Sequence, residues 1–255
     1  MSLAKERQTT HLSPPSAMMP DVELWSDEPQ LETPLHLEQI ILMLVCLKWW
    51  WRDRQDYFAS GNISIYYDRE KLPPKRSQFI GPDFFVVLNT QPKERKSWVV
   101  WQEDNRFPNV IVEMLSRRTA KKDRTEKKEL YQNTFKTPEY FWFHPYTREF
   151  AGFRLIDGKY EPIAVTDRGW MWSQELGLYL GVHDRKLRYF TLEGDLVPIP
   201  EEQVAIERAR LAQVEERLEV AEQQLQTAEQ QLTELAMLLE RYRDRFGELN
   251  ESAED

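Results

Sequence analysis

The segment Val110-Ile111-Val112-Glu113-Met114-Leu115-Ser116, with the charged run that follows it to Tyr131, decides the fold. A short continuous apolar run ending in a polar residue is the pattern of a strand covered on both faces. Glu113 lies inside that run, and burying an isolated charge is so costly that it implies a partner. After Ser116 the pattern changes: Asp123, Lys127 and Tyr131 recur four residues apart, which puts them on one face of a helix. The strand thus delivers an acid to a point, and the helix delivers a lysine back towards it. Upstream, Pro82-Asp83 opens a second apolar run, Phe84 to Leu88. Two acids at the ends of neighbouring strands, with a lysine beside them, are what metal-assisted phosphodiester hydrolysis requires.

The rest of the chain bounds this reading. Its 255 residues predict one or two domains, and a hydrophobic content of 41% with 12% aromatics can fill a core. The single cysteine, Cys46, excludes an intramolecular disulfide and a thiolate metal cluster, and its place in the run Ile40 to Leu47 suits a buried, inert thiol. No N-terminal apolar stretch resembles a signal peptide, and no apolar run approaches the ~20 residues that span a bilayer. A cytoplasmic protein with no membrane partner is expected. The net charge of −9 resides entirely in residues 201–255, which hold fifteen acids and six bases, so the preceding part is neutral. Within that part Arg117, Arg118, Lys121, Lys122, Arg124, Lys127 and Lys128 crowd beside Glu113. This patch is either a phosphate-binding surface or a solvated helix face balanced by Asp123, Glu126 and Glu129.

Four segments are expected. Residues 1–34 are polar and proline-spotted without an apolar period, and read as disordered or loosely docked. Residues 35–200 form the globular domain, 201–246 a coiled-coil helix and 247–255 a disordered tail. The domain opens with a helix from about Leu35 to Arg54. Its Trp49-Trp50-Trp51 run is either a stacking platform for bases or part of a buried helix with an exposed rim. Strands follow at Ile63 to Tyr67, Phe84 to Leu88, Trp98 to Trp101, Val110 to Leu115 and Tyr140 to Phe143, with the helix Thr119 to Thr134 between the last two. Pro73-Pro74 marks a loop. Phe150 to Leu155 and Tyr160 to Val165 form a hairpin across Asp157-Gly158, a dipeptide suited to a type I′ turn. A second hairpin joins Leu178 to Val182 with Leu187 to Leu192. The fold class is α/β: a mixed central sheet flanked by helices, with an extra antiparallel β region. From Val204, leucines 211, 218, 225, 232 and 239 recur every seven residues, and Val214, Ala221, Ala228 and Leu235 fill the position three later. That is a heptad seam with leucine at a. Arg210 and Arg217 at g meet Glu215 and Glu222 at e in a parallel homodimer. The alternative is a helix folded back on the globular part.

Taken together, Pro82-Asp83, Val112-Glu113-Met114-Leu115-Ser116 and Asp123-x-x-x-Lys127-x-x-x-Tyr131 resemble a PD-(D/E)XK nuclease core. From His36 to Val197 the chain is similar to the Uma-two family of restriction endonucleases, a cyanobacterium-rich family long filed as a domain of unknown function. His36 before an apolar helix and Pro138-Glu139-Tyr140-Phe141-Trp142 match that family's pattern. Two departures stand out. Leu115 occupies the position where the superfamily's Glu-x-Lys carries its lysine, so Lys127, on the following helix, takes that role. The family strand commonly ends Asp-Pro, whereas this chain has His144-Pro145, where His144 is an added ligand or a surface replacement. Lys128 points about 100° away from Lys127 around a helix.

The resemblance implies a restriction-endonuclease-like fold and metal-dependent hydrolysis of DNA. Asp83, Glu113 and the main-chain carbonyl of Met114 would hold Mg2+ or Mn2+ through hard oxygens. Lys127 would stabilise charge developing at phosphorus or position the water. Asp123 and Tyr131 would orient Lys127, and Ser116 would cap the helix or touch a phosphate. Arg117, Arg118, Lys121, Lys122, Arg124 and Lys128 would meet the nucleic acid. Two readings from other classes stand beside this one: a catalytically inactive nuclease fold that binds nucleic acid or a protein, and an oligomeric scaffold whose functional element is the coiled coil.

Overall fold

A computed structural model describes Ser26, residues 33–68 and residues 79–247. The expected N-terminal segment, the Pro73-Pro74 loop and the C-terminal tail lie outside the described residues or nearly so. The described chain divides into two units, residues 1–197 and 198–255.

In the first unit, helix α1 (Pro34–Trp50) begins at Thr33, whose hydroxyl accepts from the His36 N–H, and has proline in its first turn. That is the usual chemistry of a helix start. Among the described residues twelve strands follow: β1 (Tyr57–Ser60), β2 (Ile65–Tyr66), β3 (Phe79–Ile80), β4 (Phe84–Leu88), β5 (Trp98–Val99), β6 (Val110–Met114), β7 (Glu139–Phe143), β8 (Phe150–Ile156), β9 (Lys159–Pro162), β10 (Met171–Ser173), β11 (Leu178–His183) and β12 (Lys186–Phe190). The central sheet has six strands in the order β1-β4-β6-β7-β8-β9. All its pairings are antiparallel except β6 with β7, which run parallel. Parallel neighbours need a crossover, and residues 120–135 supply it as a helix. The sheet is therefore mixed and flanked by helices, as the sequence predicts.

Alternation along the strands sorts the core. Phe85, Val87, Ile111, Tyr140 and Trp142 join Tyr131 and Phe135 of the crossover helix in one buried cluster. Glu113 shares the Ile111 face and is fully buried. Helix α1 packs against β1, β4 and β12. The Gln39 amide clamps it there by donating to Leu187 O at 2.9 Å and accepting from Leu187 N at 3.0 Å. The small sheet β10-β11-β12 joins the large one through Glu139. This buried carboxylate accepts from Arg154 Nη2 at 3.0 Å, from Gln174 N at 2.8 Å and from the Ser173 hydroxyl, while Arg154 also donates to Trp172 O. Burial nevertheless holds Glu139 above the usual carboxylate range.

Both hairpins form. Asp157 and Gly158 have φ of 49° and 79°, and Asp184 and Arg185 have 46° and 66°, the left-handed pairs that a type I′ turn needs. Several elements differ from expectation. The run Trp98 to Trp101 yields only the two-residue strand β5 before the chain tightens into a 3-10 turn at Val100–Gln102, and the short strand β3 has no counterpart among the expected strands. Strand β1 forms from residues that carry no clean alternation, because its pairing with β4 supplies the missing specification. Strand β10 is likewise formed by pairing with β11. Helix α1 ends at Trp50, and its tryptophans separate: Trp51 is buried edge-on against Tyr57, while Trp50 is exposed.

The second unit contains one helix, Pro200–Phe246, of 47 residues. Glu202 accepts from the Ile199 N–H at its start, and Gly247 follows its last turn. Leu211, Leu218, Leu225, Leu232 and Leu239 all stand exposed along it.

Candidate active site

The crossover helix is not a regular α-helix. Ala120–Lys122 and Lys128–Leu130 are α-helical, while Asp123–Lys127 and Tyr131–Phe135 are wider π-helical turns. Such turns occur mostly as single-turn bulges inside α-helices, frequently at functional sites. Ser116 starts the segment, with its hydroxyl accepting from Arg118 N at 3.2 Å and Thr119 N at 3.0 Å. The Tyr140 hydroxyl donates to the Asp123 carbonyl at 2.8 Å, tying the first π turn to β7.

The wider turns leave Asp123, Lys127 and Tyr131 on one side, facing Glu113. Lys127 Nζ lies 2.8 Å from Glu113 Oε2 and 3.3 Å from Asp123 Oδ1, and also donates to Gly81 O at 3.4 Å. The Tyr131 hydroxyl donates to the other Glu113 oxygen at 2.7 Å. Asp83 joins from the start of β4: its N–H donates to Glu113 Oε2 at 3.4 Å, and its Oδ2 accepts from Met114 N at 2.7 Å. Asp83, Glu113, Asp123 and Lys127 thus form one cluster at the C-terminal end of β6. Neither oxygen of the buried Asp123 has an aligned hydrogen-bond donor among the described residues.

Three carboxylates around one ammonium leave an excess of two negative charges when all are ionised. Burial, and for Glu113 the neighbouring Asp83, push Glu113 up to about 7. Burial and the charge on Glu113 push Asp123 to about 6. Asp83 is also raised, chiefly by burial, against the opposing pull of Lys127. Lys127 moves the other way: burial alone would favour the neutral amine, but the surrounding acids hold it protonated well above its ordinary value.

The donor chemistry fits a hard divalent cation. Carboxylate oxygens and excess negative charge favour Mg2+ or Mn2+, and Mg2+ is commonly held by one or two carboxylates with waters completing its shell. Among the described residues no three carboxylate, imidazole or thiolate groups gather as a metal site. Asp83 and Glu113, which meet at the end of β6, would be the acidic ligands, with other oxygens completing the set. The Met114 carbonyl is placed beside them, but it already accepts from His36 Nε2 at 3.2 Å. Because a carbonyl only accepts, Nε2 carries the proton, and Nδ1 accepts from the Thr33 hydroxyl at 2.8 Å. A carbonyl has two lone pairs, so one remains for a cation. His36, buried on α1, thus reaches the site from the opposite face of the sheet.

The basic residues divide. Arg117, Arg118, Lys121 and Lys122 are exposed along the start of the helix. Arg124 is paired with Glu149 at 2.6 Å. Lys128 sits 3.3 Å above the Phe153 ring, turned away from Glu113, and burial lowers its pKa. His144 stands apart from the acids, where Nδ1 accepts from Tyr146 N at 3.2 Å in the turn after β7. Gly61 was not singled out by sequence. A Cβ there would stand 2.5 Å from Ile40 Cγ2 and 2.6 Å from Asp83 O, and Asn62 N donates to that same carbonyl at 3.2 Å. Only a residue without a side chain lets this turn support Asp83, and a Ser-Gly-Asn turn signal is all the sequence shows of it.

The family model described as "Putative restriction endonuclease", Uma2, matches residues 12–193. The chain belongs to the Uma2 family. A crystal structure titled as a putative nuclease belonging to DUF820, from Anabaena variabilis ATCC 29413, superposes on the chain with a TM-score of 0.42 at 12% identity, covering 58% of this chain and 76% of that one. No curated protein matches the sequence. Among the described residues, no helix of this Uma2 protein is long and apolar enough to cross a membrane.

Proposed function

We propose that this Uma2 protein is a metal-dependent endonuclease that hydrolyses DNA phosphodiester bonds at the Asp83–Glu113–Lys127 cluster. The observation that carries this reading is the meeting of Asp83, just before β4, with Glu113 of β6, and a mostly buried lysine bridging Glu113 and Asp123. Asp83, Glu113 and the free lone pair of the Met114 carbonyl would hold Mg2+ or Mn2+. The cation would supply Lewis acidity at a phosphoryl oxygen and a lowered pKa for a bound water. The chain's own groups do the rest. Lys127, kept charged by its neighbours, presents an ammonium where negative charge grows in the transition state. Tyr131 and Asp123 fix its position by holding the far oxygen of Glu113 and the near side of the ammonium. Arg117, Arg118, Lys121 and Lys122 stand exposed at and just before the start of the same helix, where they would meet phosphates in contacts that weaken as salt rises. The globular part acts as the nuclease domain, and the C-terminal helix as a coiled coil that brings two copies together.

One observation favours the second reading, an idle nuclease fold that binds nucleic acid. Glu113 has no exposed surface, and Tyr131, Lys127 and the Asp83 N–H already occupy its two oxygens. The experiment is plasmid cleavage with Mg2+ or Mn2+, comparing the natural chain with Asp83→Asn and Glu113→Gln. Metal-dependent cutting that both variants abolish supports the enzyme. DNA binding without cutting by any of the three supports the idle fold.

A further inference from the structure

Helix α1 carries apolar residues on every side, interrupted by Glu38 and Lys48, and a helix so apolar is normally enclosed. Among the described residues of this unit, one side is left exposed. His36, Gln39, Ile40, Met43, Cys46 and Leu47 are buried against the domain. Leu37 and Ile41 are 47% and 48% exposed, and Leu44, Val45 and Trp49 are only half-buried. At 3.6 residues per turn these five share the outward side. A lone exposed leucine needs no explanation, but a continuous apolar stripe does. Two exposed charges flank it, Glu38 near one end and Lys48 near the other.

The arrangement is self-complementary in one orientation. When α1 is laid antiparallel on a copy of itself about Met43, Ile41 meets Val45 of the second copy and Leu37 meets Trp49. Glu38 and Lys48 are equally far from Met43 in sequence, so each faces the opposite charge. A two-fold contact repeats every pairing, giving two such ion pairs at the flanks. A parallel arrangement in register would set Glu38 against Glu38 and Lys48 against Lys48. We propose that the outward face of α1 is an interface with a second copy of this chain, antiparallel and with its two-fold axis at the level of Met43 along the helix, separate from the heptad seam and independent of the nuclease reading.

One helix face is smaller than the ~800 Å² per partner of a standard stable interface. The pairing is therefore weak alone, and a covalent trap reads it better than a mass measurement does. The test uses the full chain carrying Glu38→Cys and Lys48→Cys, treated at micromolar concentration with a short bis-maleimide. The two cysteines are ten residues apart, about 15 Å along one helix, and cannot bridge within a chain. The double variant should give a linked dimer in high yield, and either single variant little, because its own copies lie about 15 Å apart along the pair. No dimer from the double variant, or equal dimer from the singles, overturns the proposal; the second result would mean random collision or the C-terminal helix at work. Charge exchange then tests the register with Val45→Cys as reporter. Glu38→Lys and Lys48→Glu should each lower the linked yield several-fold, and the two together should restore it. Failure to restore overturns the antiparallel register.

Discussion

The ammonium of Lys127 stands 2.8 Å from Oε2 of Glu113, across the gap between a buried strand and the helix that crosses over it. That contact joins two groups that could not be buried singly. It also predicts an asymmetry between adjacent lysines. Lys127→Ala should lower metal-dependent cleavage by about 10²–10³-fold, as expected for loss of a preorganised transition-state cation. Lys128→Ala, whose side chain lies over Phe153, should leave activity within a few-fold. Steady-state cleavage of supercoiled plasmid measures both. Equal losses would make the two lysines generic phosphate attractors.

The same contact predicts a stability effect separate from activity. Lys127→Met leaves Asp83, Glu113 and Asp123 clustered without their cation, and removing one partner of a buried charge pair costs about 3–5 kcal/mol. Urea unfolding at pH 8 should show most of this loss, and at pH 5, where the acids take up protons instead, much less. A uniform loss at both pH values would mean that packing, not charge, is what Lys127 contributes.

Glu113 at about 7 and Asp123 at about 6 also give the cluster's contribution to stability a pH dependence. Their folded-state values lie above the ordinary carboxylate range, so between about pH 4.5 and 7 the folded state binds more protons than the unfolded state. The slope of unfolding free energy against pH is then negative. The cluster's contribution should be greatest below about pH 4.5 and decline towards pH 7 and above, in the opposite sense to an ordinary salt-bridged carboxylate. A divalent cation that offsets the negative charge left when those protons depart should raise the melting temperature at pH 8 by mass action. Glu113→Gln should lose this metal-induced rise. A melting curve indifferent to Mn2+ at pH 8 would remove the metal from this site.

Much of this was legible in the chain. Val110 to Ser116 reads as a buried strand from its own residues, and the spacing of Asp123, Lys127 and Tyr131 puts all three on the face that meets Glu113. The π turns were not legible: they depend on partners such as the Tyr140 hydroxyl, which lies far along the chain. The same holds for Glu139, whose burial beside Arg154 and Ser173 turns a family-like Pro-Glu-Tyr motif into the joint between two sheets. Strands β1 and β10 are specified by their neighbours, which local alternation does not reveal. His36 reads as a motif position, yet its contact with Met114 O crosses the sheet.

Gly61 gives a test of how tightly Asp83 is held. The added methyl of Gly61→Ala would press on Ile40 and on the Asp83 carbonyl, and overpacking of this kind costs about 1–3 kcal/mol. Because the carbonyl is backbone, Asp83 should shift with it. Cleavage should fall more than stability loss accounts for, and metal affinity, read by calorimetry, should fall in parallel. Unchanged affinity would show that the turn supports the fold and not the acid.

The C-terminal helix carries the last prediction. Cutting both strands of a duplex with one site per chain calls for two copies, and the five exposed leucines from Leu211 to Leu239 form a seam that a second copy would cover. Leucine at every a position from Leu211 to Leu239 would drive association, and Ala221 and Ala228 at d would weaken its middle. In a parallel pair Arg210 faces Glu215 and Arg217 faces Glu222 across the seam, whereas an antiparallel pair sets glutamate against glutamate. A dimer of moderate strength with parallel helices is expected. Deleting residues 203–255 should lower the oligomeric state in sedimentation and reduce double-strand cutting more than nicking, since each remaining site still cuts one strand. Reversing Glu215 and Glu222 to lysine should weaken the dimer, and adding Arg210→Glu and Arg217→Glu should recover it. If the full chain and the truncated chain are both monomers at micromolar concentration, the heptad seam does not join copies, and its leucines are covered within the chain.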